Sequence, residues 1–212
     1  MLTFKQMIID LNNRRNFTFS RFGDGEFNCI LGVNGENTDG HLYYSDLGES
    51  LKRVIKSKPS YYMGLQNMVK RIRGDQDEFK ELTKGIHWHD ADIIHHQSIK
   101  YGLDDLFTVL KSREVILVGN PDIQMNGYLS LTEKIDIQKE NAWLDYYVTF
   151  NEIQKTIEEN DVILYCAGMM TEVLMDDLFN IYKNEITQID IGSAFDPYNG
   201  IISRSYHKHL KL

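Results

Sequence analysis

Two cysteines, Cys29 and Cys166, are all that 212 residues contain. Two thiols cannot build a disulfide framework, so the fold must rest on a hydrophobic core, and the apolar setting of each is that of a buried free thiol in a reducing compartment. With 3 prolines and no low-complexity tract, the composition of a disordered linker or tail is missing too. No apolar run approaches the roughly 20 residues that a membrane span requires. Met1 to Arg15 lacks the apolar block of a signal peptide. A cytoplasmic protein without a membrane span is the expectation. Long Lys/Arg runs are absent and the net charge is −8, whereas duplex binding needs clustered cations. Nucleic-acid partners are therefore disfavoured. There is no Walker A lysine motif, no GxGxxG after a strand and no GxSxG elbow, so kinase, dinucleotide dehydrogenase and serine-hydrolase readings lose support.

What is present reads as one α/β domain over 1–212, with an ordinary 42% of hydrophobic residues. Phe4, Met7, Ile8 and Leu11 recur at helical spacing. Asn16 to Phe22 reads as a strand, followed by a short helix that Gly32 can stop. Residues 33 to 43 are polar and glycine-rich, a loop. Leu47, Leu51, Val54 and Ile55 mark a second helix ending near Pro59, and Tyr61 to Leu65 a short strand. The stretch 66 to 112 is helical and polar, with Ile93-Ile94 as a brief strand. Glu114 to Gly119 and Asp161 to Gly168 are unbroken apolar runs ending in glycine, the pattern of strands covered on both faces. Lys134 to Gln138 and Ile186 to Gly192 complete the strands; Val148 to Glu159 and Met169 to Tyr182 are helices. This alternation predicts a Rossmann-like sandwich with a mostly parallel sheet.

In such sheets ligands collect beyond the carboxyl ends of the strands. Three ends carry glycine and polar residues: Gly23 to Glu26, Gly119 to Asp122, and Ala167-Gly168 leading to Thr171-Glu172. The first, within Arg21-Phe22-Gly23-Asp24-Gly25-Glu26, carries the most chemistry. Asp-x-Glu sets two hard oxygen ligands close enough to share a divalent cation. The glycines let a polyanion approach the backbone, and Arg21 supplies positive charge. The same residues also suit a helix cap at Asp24 and a first-turn carboxylate at Glu26. The third end opens a helix whose free amides suit a phosphate, or it is a plain tight turn. His87, His89, His95 and His96 cluster, yet their spacing fits no metal motif, and a polar surface or acceptor-pocket segment explains them as well. Ser193 to Tyr198 brings a serine, Asp196 and an aromatic ring after the last strand, with Arg204 and His207 beyond. That mixture suits a carbohydrate, or a polar loop turned by Pro197.

Together these segments resemble the GT-D-type glycosyltransferases, a bacterial family first known as a conserved domain of unknown function. The family's Arg-Phe-Gly-Asp-Gly-Glu signature is matched without a gap by Arg21 to Glu26. Its Ala-Leu-Gly-Pro-Thr-Ala strand end and following helix are echoed by Cys166 to Thr171, Val173-Leu174 and Asp177-Leu178. Its Ile-Asp-Ile-Gly strand is present as Ile189 to Gly192, and a weaker echo is Asn141-Ala142. The chain departs from the family at Met169-Met170, which replace Pro-Thr, and at Ser193 to Pro197, which replace a histidine and an acidic stretch. It also lacks the family's Ser-Arg-rich loop.

The resemblance implies a GT-D-like fold and transfer of a sugar from a nucleotide diphosphate donor, UDP-linked, to an acceptor hydroxyl. It makes Asp24 and Glu26 the candidates for holding Mn²⁺ or Mg²⁺, directly or through water, unless one of them binds the ribose or uracil. Arg21 is the diphosphate partner, with Gly23, Gly25, Gly168, Thr171 and Ser193 on the donor side. Asp196 is the carboxylate near the reacting sugar, as general base or hydroxyl ligand. Tyr198, Arg204 and His207 are candidates for the sugar or acceptor. Two rival readings stand beside this: a non-catalytic nucleotide-sugar binding module, and a metal-dependent phosphoesterase using the same Asp-x-Glu.

Overall fold

The computed structural model describes residues 1–209. In chain order its elements are α1 (Phe4–Asn12), β1 (Thr18–Phe22), α2 (Asp24–Ile30), α3 (Ser45–Ser57), β2 (Tyr62–Leu65), α4 (Asn67–Arg73), α5 (Asp77–Thr83), β3 (His89–Asp90), α6 (Ile93–Tyr101), α7 (Asp104–Leu110), β4 (Val115–Gly119), β5 (Glu133–Asp136), α8 (Tyr146–Thr156), β6 (Val162–Cys166), α9 (Thr171–Tyr182) and β7 (Thr187–Asp190). Among the described residues seven strands form one sheet in the order β3-β2-β1-β7-β6-β4-β5, and every pairing is parallel. The expected α/β architecture is therefore the observed one.

The apolar strands are buried on both faces, and their side chains alternate between two cores. Ile116 and Val118 of β4 and Ile163 and Tyr165 of β6 join the core under α2, α3, α8 and α9. Val115, Leu117, Val162 and Leu164 join the core under α1, α6 and α7. This is why β4 and β6 read as continuous apolar runs: a period of two disappears when both faces are covered.

Three local expectations shift. Ile93-Ile94 opens α6 and is not a strand; Ile94 and Ser98 are both buried, the i, i+4 spacing of a helix face. The brief strand is His89–Asp90, which pairs with Gly64 and Leu65. The helix expected from Val148 starts at Tyr146 and ends at Thr156. Gly32 does stop α2, with φ +66 and its N–H donating to the Cys29 carbonyl. Both cysteines are free. Burial pushes the Cys29 thiol up to about 12, so it is inert.

Between β1 and β2 the chain forms the loop 33–43, pinched by a bridge between Glu36 and Leu42. The Leu42 N–H donates to the Asn141 side chain, and Arg204 grips Asp39 with both guanidinium nitrogens at 2.6 and 2.7 Å. These contacts hold the loop beside the carboxyl ends of the strands.

Candidate active site

A cavity of about 650 Å³ lies beyond those strand ends. Each strand contributes to it: Gly23 and Asp24 after β1, Gln66 after β2, Asp92 after β3, Asn120 after β4, Ile137 after β5, Gly168 after β6 and Gly192 after β7. β1 and β7 are neighbours at the centre of the sheet, so the turns after them open side by side above its middle. Open α/β sheets bind ligands in crevices outside the carboxyl ends of their strands.

Arg21 forms the floor. Its guanidinium is 8% exposed, its Nε donates to the Ala91 carbonyl at 2.7 Å, and its Nη1 lies 3.7 Å from Asp190 Oδ2. Asp190 in turn accepts from the Gly192 N–H at 2.8 Å. The cation is thus fixed by the turn after β3 and by Asp190 at the end of β7, itself braced by the Gly192 N–H, before any ligand arrives.

Asp24 is the first residue of α2 and stands exposed at the cavity wall. The N-cap is Gly23, so the capping role open to Asp24 is not the one it takes. Glu26 does support the first turn: its Oε2 accepts from the Gly23 N–H at 2.7 Å. Burial, with help from Asp190 and Asp24 and against two backbone N–H donors, raises the Glu26 carboxyl from 4.5 to about 7. The two glycines are filled by protein atoms. A Cβ on Gly23 would meet Gln66 Oε1 at 2.7 Å, and one on Gly25 would meet Met169 Sδ at 3.3 Å. Their small size serves packing of the cavity wall as much as ligand approach.

Gly168 has φ +62, and a Cβ there would fall 2.9 Å from His41 Nε2. The loop 33–43 therefore rests on the bare backbone of the β6 turn. Ser193 lines the cavity and meets His95 Nε2 at 3.3 Å. His95 is buried, which holds its imidazole well below the usual range, with Arg21 adding to the effect; it is neutral at physiological pH. Asp196 also lines the cavity and accepts from the Ser203 hydroxyl. Burial raises its carboxyl to about 6, opposed by Ser203 and Arg204. Arg204 reaches the cavity wall already engaged by Asp39.

Other sequence candidates lie elsewhere. Thr171 is buried at the start of α9 and does not line the cavity. Tyr198 packs at 5.0 Å against both Phe107 and Tyr128, and its hydroxyl accepts from the Leu103 N–H; it is an aromatic wedge behind the site. His207 is buried beside Ser203. His95 and His96 reach the cavity, while His89 accepts from the Leu2 N–H and His87 stacks edgewise on His89. Asp92, Asp122 and His41 line the cavity without having been singled out as site residues. Asp122 follows a strand end that was, and that position was its only signal.

Among the described residues no three His, Cys, Asp or Glu side chains converge to hold a metal ion. A closed protein-built centre is therefore not what these residues fit. Asp24 and Glu26 both line the cavity, where Glu26 Oε2 is already taken by the Gly23 N–H; a cation held there would need its other ligands from water and substrate phosphates.

No family model matches the chain, and no curated protein matches it. Solved structures do. One, described as "the highly conserved domain of unknown function 1792 has a distinct glycosyltransferase fold", superposes with a TM-score of 0.72 at 16% identity, covering 97% of this chain and 87% of that one. A second, "a new glycosyltransferase (DUF1792) from Streptococcus sanguinis", gives 0.68 at 15% identity over 93% and 82%. A selenomethionine structure of the same domain gives 0.71 at 17% over 91% and 76%. At these identities the likeness establishes the fold: this chain has the distinct α/β fold described for the DUF1792 glycosyltransferase structures.

Proposed function

We propose that this protein is a glycosyltransferase that moves a sugar from a UDP-linked donor to an acceptor hydroxyl. The observation that carries the reading is the meeting, at the central crevice of a glycosyltransferase-type fold, of a pre-fixed Arg21 with Asp24 and Glu26. Loss of a nucleotide diphosphate builds negative charge on the leaving oxygen, and a fixed cation stabilises that charge most in the transition state. Arg21 faces the diphosphate. Asp24 and Glu26 hold Mn²⁺ or Mg²⁺, which when bound supplies further neutralisation of the phosphate oxygens. Asp196, raised to about 6, accepts the proton of the acceptor hydroxyl or binds a sugar hydroxyl. Gly168 and Ser193 border the donor.

A non-catalytic binding module would use the same floor and differs only in turnover. A two-metal phosphoesterase requires more converging ligands than the described residues bring together. The deciding experiment is UDP release from a panel of UDP-sugars with Mn²⁺ and no acceptor, beside the thermal shift given by UDP. Sugar-dependent slow release together with a shift larger with Mn²⁺ than with chelator supports the transferase. A shift without release supports the module, release from simple phosphoesters supports the phosphoesterase, and equal shifts with ATP remove the uridine donor.

A further inference from the structure

After β7 the chain doubles back on itself. The Gly200 N–H donates to the Pro197 carbonyl at 3.1 Å, and the Ile201 N–H to the Asp196 carbonyl at 2.9 Å. This reversal returns Ser203 to Asp196, and the Ser203 hydroxyl donates to Asp196 Oδ2. Asp196 Oδ1 has no hydrogen-bond partner among the described residues, on a side chain that lines the cavity. Behind the serine, the buried His207 places its Nδ1 3.5 Å from Ser203 Oγ.

The direction of these contacts decides what they do. The Ser203 proton is already given to Asp196, so the ring must bring the proton that its own contact with the hydroxyl needs, on Nδ1. Hydrogen bonds thus run from His207 to Ser203 to Asp196, and every proton points toward the carboxylate. In a nucleophilic triad the histidine stands between serine and carboxylate and takes the serine proton. Here the serine stands between, so His207 cannot activate it. A donor aimed at a carboxylate favours its charged form instead. Arg204, itself engaged by Asp39, favours the same form, and Asp39 opposes it. We propose that Ser203 is a positioning residue, oriented by His207, that holds Asp196 by one oxygen and leaves the other to the acceptor hydroxyl. On transfer the acceptor oxygen bonds the sugar carbon in place of UDP, and its proton passes to that second oxygen. The acceptor role rests on the transferase reading above; the hydrogen-bond chain does not.

The test uses the full chain and three variants. S203A removes the hydroxyl, S203T keeps it, and H207F keeps a ring without the N–H. Carbon NMR with labelled aspartate carboxyls follows Asp196 directly, its signal assigned by loss in D196N. Its midpoint is expected about one pH unit higher in S203A than in wild type, the scale of a lost hydrogen bond to a charged group. S203T is expected at the wild-type midpoint and H207F between the two. The second readout is UDP release from UDP-sugars with Mn²⁺ and water as acceptor. The ratio of S203A to wild-type turnover is expected to fall about fivefold between about pH 8 and about pH 6, with KM within about twofold. A merely structural serine would leave that ratio flat. An Asp196 midpoint that stays in place in S203A, or moves equally in S203T, overturns the proposal whatever UDP release does. A midpoint that moves while the ratio stays flat overturns the acceptor role, and H207F at the wild-type midpoint overturns the part given to His207. If the midpoints move as expected but wild type releases UDP from no UDP-sugar, the donor reading fails alone. The hold of Ser203 on Asp196 then stands without its acceptor role.

Discussion

The Nη1 of Arg21 occupies the space in which a Cβ on residue 192 would stand, so the guanidinium can lie as it does only because that residue is Gly192. The glycine has φ +56, the left-handed region, so its backbone and its missing side chain are both in use. It follows β7, and Arg21 is the last residue but one of β1, which is β7's neighbour in the sheet. Sequence positions 171 apart thus form one steric unit at the cavity floor.

Gly192→Ala should therefore do two things at once. Backbone strain at positive φ should cost about 1–2 kcal/mol, and displacement of Arg21 should weaken UDP binding about tenfold or more. Gly200→Ala isolates the first effect, since Gly200 has φ +74 and nothing within 4 Å of its Cβ position. Calorimetry on both variants checks this: equal stability losses with an affinity loss only at Gly192 are expected. Equal affinities would show that Arg21 does not meet the nucleotide.

Asp24→Ala and Glu26→Ala should each lower turnover by about a hundredfold or more, the scale of a lost transition-state charge contact. Their stability effects should differ. Asp24 is exposed at the first helical position, so its loss removes only a helix-dipole contact of about 0.3–1 kcal/mol. Glu26 gives up a hydrogen bond to the Gly23 N–H, worth about 1 kcal/mol. Kinetics normalised to folded protein, beside thermal unfolding, separate the two; high activity per folded molecule in both variants would make the pair structural.

The raised Glu26 carboxyl has a pH signature. Between 4.5 and about 7 the folded chain keeps a proton that the unfolded chain has released, so this contribution is complete below 4.5 and is lost as pH climbs toward 7. Glu26→Gln should flatten that decline. Asp196, raised from 3.8 to about 6, contributes a similar slope in both proteins, so the cleanest contrast lies between about 6 and 7. Thermal unfolding across this range should show the two stability curves converging at acid pH; parallel curves would place Glu26 at its ordinary value.

Asp196→Asn keeps the size of the side chain and an acceptor for Ser203 but removes the charge. UDP affinity should stay within a few-fold, while transfer should fall by about a hundredfold, the middle of the range for a lost general base. A joint decline of affinity, stability and activity would reduce Asp196 to a brace for the 192–203 segment.

The sheet was legible in the sequence because strands buried on both faces must be apolar throughout. Val115 to Gly119 and Val162 to Cys166 announce themselves by that alone, and the glycines and polar residues after them mark the ends where a ligand can sit. The Arg21 to Glu26 block was legible for a similar reason: a strand end, two small residues and three charges lie within six positions of chain. What stayed hidden depends on side chains meeting across the sheet. Tyr198 has the composition of a sugar platform, but packing against Phe107 and Tyr128 turns it into the core. Glu172 looks like an ordinary first-turn acid of a helix, and only the packing of α9 onto the sheet buries it. Ile93-Ile94 has strand composition, yet the burial of Ile94 with Ser98 makes it helical. Local patterning determined the elements, their order and the face on which chemistry gathers, since those follow from periodicity and turn chemistry within a short window. Tertiary structure alone decided which charges are paired, which carboxyls burial raises and which candidates reach the cavity, because burial and electrostatic neighbours are set by residues far apart in the chain.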